Sequence, residues 1–189
     1  MQKQITFRQY RTMDLFFFSL ILVISEVLIT LGATVWFPGE PYTVSLSCAV
    51  AAIVMVRWGW WAAVPMAAGS IAFCLVSHAA PVQWIIYAAG SMLGLMMVPV
   101  LKKKGWESLH GNVLWLLGYG LCTALLMQLG RAGIAAVFGL PAAAILGFIT
   151  TDVLSAVFTL FVVWIIRRIE GLFEDQKHYL LRIQSEAKS

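Results

Sequence analysis

The chain has 189 residues, 61% of them hydrophobic and only 12% charged, with a formal net charge of +4. A soluble domain of this length needs far more charge to cover its surface, so the composition points away from one. The positive balance is not a nucleic-acid signal, because the basic residues sit at the ends of apolar runs, where they orient a membrane protein.

Taken in chain order, the apolar runs predict a single all-α membrane domain, a bundle of six spans near the 17–25 residues that a bilayer of about 30 Å requires. The first covers about 14–36. Its apolar run is too long for a cleavable signal peptide and no A-x-A-like site follows, so it is expected to remain as a span. "FPGEPYT" (37–43) breaks the helix with two prolines and a glycine. The second span, 44–56, is short for a full crossing. "RWGWW" (57–61) follows it, with a charge and three tryptophans at headgroup depth. The third span, 62–76, is again short and ends at "SHAAP" (77–81). The fourth, 82–101, stops at "KKKGWE" (102–107), and the fifth, 112–137, runs past Arg131 to "FGLP" (138–141). The sixth, 142–166, stops at Arg167 and Arg168. A tail, 167–189, changes character. Ile169, Leu172, Phe173, Leu180 and Ile183 fall near one face at helical spacing, which predicts an amphipathic helix leaving the membrane or folding back on its surface.

Six spans put both termini on one side, and twelve of the 13 basic residues then fall on that side too. The excess of Lys and Arg makes it the cytoplasmic side. Arg131 is the exception.

Ionisable groups inside a span are rare because each costs roughly 2.5–3.5 kcal/mol on insertion scales. Glu26, Arg131 and Asp152 are such groups, and Gln128 lies on the same helical face as Arg131. All four can meet in the outer half of the bundle. Arg131 is then either half of an internal ion pair or the polar floor of a ligand cavity. Trp36, Phe37 and Tyr42 flank the first outer loop, and Trp84 and Tyr87 open the fourth span on the same side. Interface belts use such residues, and so does a site that stacks a planar ring. Gly90 and Gly94 form a GxxxG, and Ala63 and Ala67 share its spacing, which suits close helix packing or docking on another subunit. Cys48, Cys74 and Cys122 lie scattered in apolar segments and read as small core residues. No catalytic, metal-binding or phosphate-loop motif stands out, so neither an enzyme nor a cofactor is expected.

Three stretches resemble the membrane-embedded substrate-binding S components of energy-coupling factor transporters. They are "RWGWWAAVPMAAGSIAFCLVS" (57–77), "IIYAAGSMLGLMMVPVLKKKG" (85–105) and "GLPAAAILGFITTDVLSAVFTLFVVWIIRRI" (139–169). The first has an interfacial start followed by small residues. The second is a glycine-spaced span ending in a basic loop, and the third begins its helix near a polar position, Asp152. "SLILVISE" (19–26) differs from the AxxxA that many relatives carry there for docking. The resemblance implies a six-helix bundle of the bacterial plasma membrane, with a vitamin-like ligand held near the extracytoplasmic face. It also implies partners: a membrane coupling subunit and cytoplasmic ATPases. Membership of the substrate-binding set is expected for Arg131, Gln128, Asp152, Glu26, Trp36, Tyr42, Trp84 and Tyr87. A membrane scaffold or sensor that recruits a cytoplasmic partner through its C-terminal helix is the alternative.

Overall fold

The computed structural model describes residues 6–38 and 44–186, and among these it contains helices and no strand. Five helical stretches are long and apolar enough to cross a membrane: Phe7–Trp36, Ser47–Val76, Pro81–Lys104, Val113–Val137 and Ala142–Ile166. Such a set fits a multi-pass membrane protein.

Helix α1 (Phe7–Trp36) starts at a capping box, in which Thr6 Oγ1 accepts from the Gln9 amide and the Gln9 side chain accepts from the Thr6 amide. It buries one stripe, Leu15, Phe18, Leu22, Glu26 and Thr30. Phe16, Phe17, Leu20, Ile24, Leu28 and Leu31 are exposed on its other side. An apolar outer face is what lipid, rather than water, stabilises.

The Ser47–Val76 stretch is not straight. It divides into α2 (Ser47–Trp58), a 3₁₀ turn at Gly59–Ala62, and α3 (Ala63–Val76). A Cβ on Gly69 would lie 3.1 Å from Ser47 Oγ, whereas 47 and 69 stand roughly 33 Å apart on a straight helix. The two halves therefore fold back as a hairpin, reversed at Gly59, whose φ of +60° suits a residue without a Cβ. Residues Ser47 to Arg57 of α2 are all buried. Its brevity thus has a packing reason: small residues such as Cys48, Ala49, Ala51 and Ala52 let neighbours close around a short central helix.

The remaining elements complete the wall. Helix α4 (Pro81–Ser91) passes through a 3₁₀ stretch, Met92–Met96, into α5 (Met97–Lys104). Pro99 has no N–H to give the preceding turn, which accounts for the irregularity. After the short α6 (Glu107–Gly111), α7 (Val113–Val137) starts at Asn112, whose side chain accepts from the Trp115 amide. Helix α7 meets α4 at glycines. A Cβ on Gly130 would overlap the Gly90 carbonyl oxygen, and one on Gly94 would meet Met127 Cγ at 2.7 Å. The GxxxG thus packs inside the bundle. Helix α8 (Ala142–Thr150) has no buried residue, and a break at Thr151–Asp152 separates it from α9 (Val153–Ile166).

The tail departs from the expectation of one amphipathic helix. Residues 167–175 are turns, and only α10 (Gln176–Glu186) is helical. Phe173 and Gln176 are fully buried, while Ile169 and Ile183 are exposed, so the presumed apolar face is divided. Gly171, at φ +72°, turns the chain back, and His110 Nε2 lies 2.9 Å from the Phe173 carbonyl. Tyr10 Oη hydrogen-bonds the Gln176 side chain at 3.0 Å, so the first and last helices meet at one end of the bundle.

Arg57, read as a headgroup-depth charge, is also buried among its neighbours. It is 4% exposed, and its Nε and Nη2 donate to Asp14 Oδ2 and Oδ1 at 2.9 and 2.8 Å. Its Nη1 donates to the carbonyls of Gly171 and Leu172 at 2.7 and 3.0 Å. Trp58 Nε1 completes the node by donating to Asp14.

Candidate functional site

Roughly 18 Å further along α1 from Asp14, a second polar cluster occupies the other end of the bundle. Glu26 is 1% exposed, and its Oε1 accepts from Ser45 Oγ at 2.6 Å, the Leu46 amide at 2.9 Å and both the amide and the hydroxyl of Ser47 at 3.2 Å. The carboxylate therefore sits at the N-terminus of α2, where unpaired amides and the helix dipole favour an anion.

Asp152 occupies a comparable place at the start of α9. Expected about ten residues into an unbroken span, it falls instead in the turn between α8 and α9. Its Oδ1 accepts from Ser155 Oγ at 2.6 Å, and its Oδ2 accepts from Arg131 Nη1 at 3.0 Å. Arg131, 7% exposed, also donates from Nε to Ser91 Oγ at 3.0 Å. Its guanidinium carbon lies 5.1 Å from the centre of the Tyr87 ring. Gln128 Nε2 donates to the Asp152 carbonyl at 3.3 Å. Arg131 thus forms the internal ion pair that was one of its two expected roles.

The four polar residues singled out in the sequence belong to one network. Glu26 does not touch Arg131; it joins through Ser45, whose amide donates to Ser155 Oγ at 2.9 Å, and Ser155 in turn donates to Asp152. The relay draws on α1, the segment before α2, α4, α7 and α9. Each bond removes a polar group from an apolar surround, where an unpaired one costs several kcal/mol.

A cavity of about 40 Å³ opens onto this network, bounded by Glu26, Ser45, Ser70, Arg131, Thr151 and Asp152. Its aromatic side consists of Tyr87 with Phe73 and Phe148, at ring-centre distances of 4.7 and 5.7 Å from Tyr87. Gln128 borders a smaller adjoining space of about 10 Å³, shared with Arg131 and Asp152. The chemistry on offer is a cation, two carboxylates, several hydroxyls and a cluster of ring faces. Such a set has the chemistry to meet a small polar molecule carrying a flat ring.

The outer-loop aromatics do not join it. Trp36 is 76% exposed at the end of α1. Trp84 gives its indole N–H to the Ala79 carbonyl at 3.1 Å, fastening the loop after α3, and neither tryptophan lines the cavity. Tyr42 lies outside the described residues. Of the four aromatic expectations, Tyr87 alone lines the cavity among the described residues. Phe73 and Phe148 take the place assigned to loop tryptophans. Their signal was faint, since single phenylalanines within apolar runs look like ordinary packing residues. Ser45, Ser91 and Ser155 were equally unmarked.

Comparison of the chain with models of protein families, with curated proteins and with solved structures gives no match.

Proposed function

We propose that the chain is the substrate-capture subunit of an energy-coupling factor type importer, holding a vitamin-like small molecule in the polar cavity. On this reading α1, α2, α3, α4–α5, α7 and α8–α9 are six crossing segments of a bacterial plasma membrane. Both termini are then cytoplasmic and the cavity lies in the extracytoplasmic half. A membrane coupling subunit and cytoplasmic ATPases supply the energy, and the chain catalyses no reaction itself.

The observation that carries the proposal is the Arg131–Asp152–Ser155–Ser45–Glu26 network beside a cavity walled by Phe73, Tyr87 and Phe148. Ionisable residues at membrane depth are expensive and by default mark a ligand or ion path. At about 40 Å³ the space holds one or two waters, less than a ring needs. Admitting a ring requires the outer elements to part, and α8, with nothing buried, is the least anchored of those bordering the cavity. In the mechanism that follows, Arg131 keeps its bond to Asp152 while its Nη2 and the cavity hydroxyls receive the ligand. The start of α2 at Glu26 and the start of α9 at Asp152 hold the two carboxylates in place.

Binding of labelled water-soluble vitamins to the purified chain tests this, with Arg131→Ala and Asp152→Ala as variants. The proposal expects Arg131→Ala to lose binding while remaining a monodisperse folded bundle. Equal unfolding of both variants supports a purely structural pair. Uptake into proteoliposomes lacking any ATPase contradicts the importer reading and favours a stand-alone carrier.

The scaffold alternative draws on α10, where Leu181 and Ile183 remain exposed. Deleting residues 177–189 spares the buried Phe173 and Gln176; it abolishes partner recovery but not uptake if α10 is a separate docking helix.

A further inference from the structure

A far larger space than the polar cavity, a cleft of about 640 Å³, lies at the opposite end, beside the start of α1 and of α10. Trp58, Trp60, Trp61 and Trp106 line it, over an apolar floor of Met55, Val98 and Leu101. Besides Arg57, three cations border it: Arg11, Lys102 and Lys177. None of the three belongs to an ion pair among the described residues. The Arg11 guanidinium carbon lies 4.2 Å from the Trp61 ring centre, a cation–π contact with the wall. Arg57, by contrast, is spent on Asp14.

Two carboxylates and a histidine share the border, Glu107, Asp175 and His178. Asp175 Oδ1 accepts from the amides of Lys177 and His178 at 2.9 and 3.2 Å, so it caps α10. Glu107 is exposed. The balance of the cleft is therefore cationic. Trp60 and Trp61 are half-exposed, and Val64, one turn further on, is exposed as well, so the indole wall continues onto the apolar outside of the bundle.

We propose that this cleft binds the headgroup of an anionic phospholipid, with the phosphate among Arg11, Lys102 and Lys177 and the acyl chains running out past Trp60 and Trp61. Cations at headgroup depth attract anionic lipid, and indoles favour the same zone. A soluble anion has no use for four indoles and an apolar exit. The proposal requires the termini to face a membrane surface but is independent of what occupies the polar cavity.

Native mass spectrometry of the full chain in detergent tests it, with dioctanoyl phosphatidylglycerol, dioctanoyl phosphatidylcholine and glycerol 3-phosphate as probes. Phosphatidylglycerol is expected to bind about tenfold more tightly than phosphatidylcholine. The preference should vanish in the triple variant R11Q/K102Q/K177Q, with its thermal midpoint unchanged. If the triple variant does not fold, K102Q alone should reduce the preference about threefold. Equal binding of the two lipids, or a preference that survives these substitutions, overturns the proposal. Displacement of phosphatidylglycerol by glycerol 3-phosphate at comparable concentration also overturns it, because the site then serves a soluble anion.

Discussion

The bundle contains two buried arginine–aspartate pairs, one at each end, built in different ways. At the terminal end Arg57 meets Asp14 fork to fork, and the remaining donor reaches two tail carbonyls. Every part of that guanidinium is engaged, and three separate segments of chain are tied together. At the other end Arg131 meets Asp152 through one nitrogen, takes a serine with another, and turns a face to Tyr87 beside a cavity. Its Nη2 has no hydrogen-bond partner among the described residues. A saturated pair fixes structure, whereas one with unused donor capacity beside a space can take a ligand. The difference between these two arginines therefore says more about function than the presence of either one.

The sharpest way to break this contrast is at the terminal node. Arg57→Ala leaves a buried carboxylate without its partner and should cost about 3–5 kcal/mol, read by unfolding in mixed micelles. Replacing both members, Asp14→Leu with Arg57→Met, should restore part of that loss, because no unpaired charge remains. At the other end the weight should fall on binding. Arg131→Met is expected to weaken ligand binding about 10–100-fold, the worth of one charge-assisted contact, while destabilising less than Arg57→Ala in the same unfolding assay.

Smaller effects sharpen the same picture. Gly130→Ala forces a methyl against the Gly90 backbone and should cost about 1–3 kcal/mol, with weaker ligand binding because Arg131 is the next residue. Glu26→Gln keeps an acceptor for the α2 amides but loses the charge at the helix end. It should cost about 1 kcal/mol or less in thermal or denaturant melts. Trp36→Phe should shift stability by no more than about 0.5 kcal/mol and leave binding unchanged, since this exposed side chain lies away from the cavity.

Some helix boundaries were legible in the apolar runs, although α1 starts at Phe7 rather than near 14 and the expected 44–56 is helical from Ser47 to Trp58. The expected 112–137 and 142–166 correspond to Val113–Val137 and to the α8–α9 stretch Ala142–Ile166. Glu26, Gln128, Arg131 and Asp152 were legible because polar residues inside such runs are costly, which leaves few candidates. The serines that link them were not, since a serine in a span costs little and carries no flag. The Asp14–Arg57 node escaped for another reason. Arg57 already fitted the basic cytoplasmic set and Asp14 stood at the edge of a span, so neither appeared to need a partner. The tail misled because Phe173 and Ile183 share a helical face only if 167–175 is helical, and Gly171 turns the chain there.

Mass spectrometry of what co-purifies with the gently extracted chain tests whether the Arg131 cavity captures a small molecule. A heterocyclic, vitamin-like compound is expected near one equivalent in the native chain and is expected to be lost from Arg131→Met. A compound retained equally by both, or none in a chain shown to be folded and saturated with candidate vitamins before extraction, contradicts that capture.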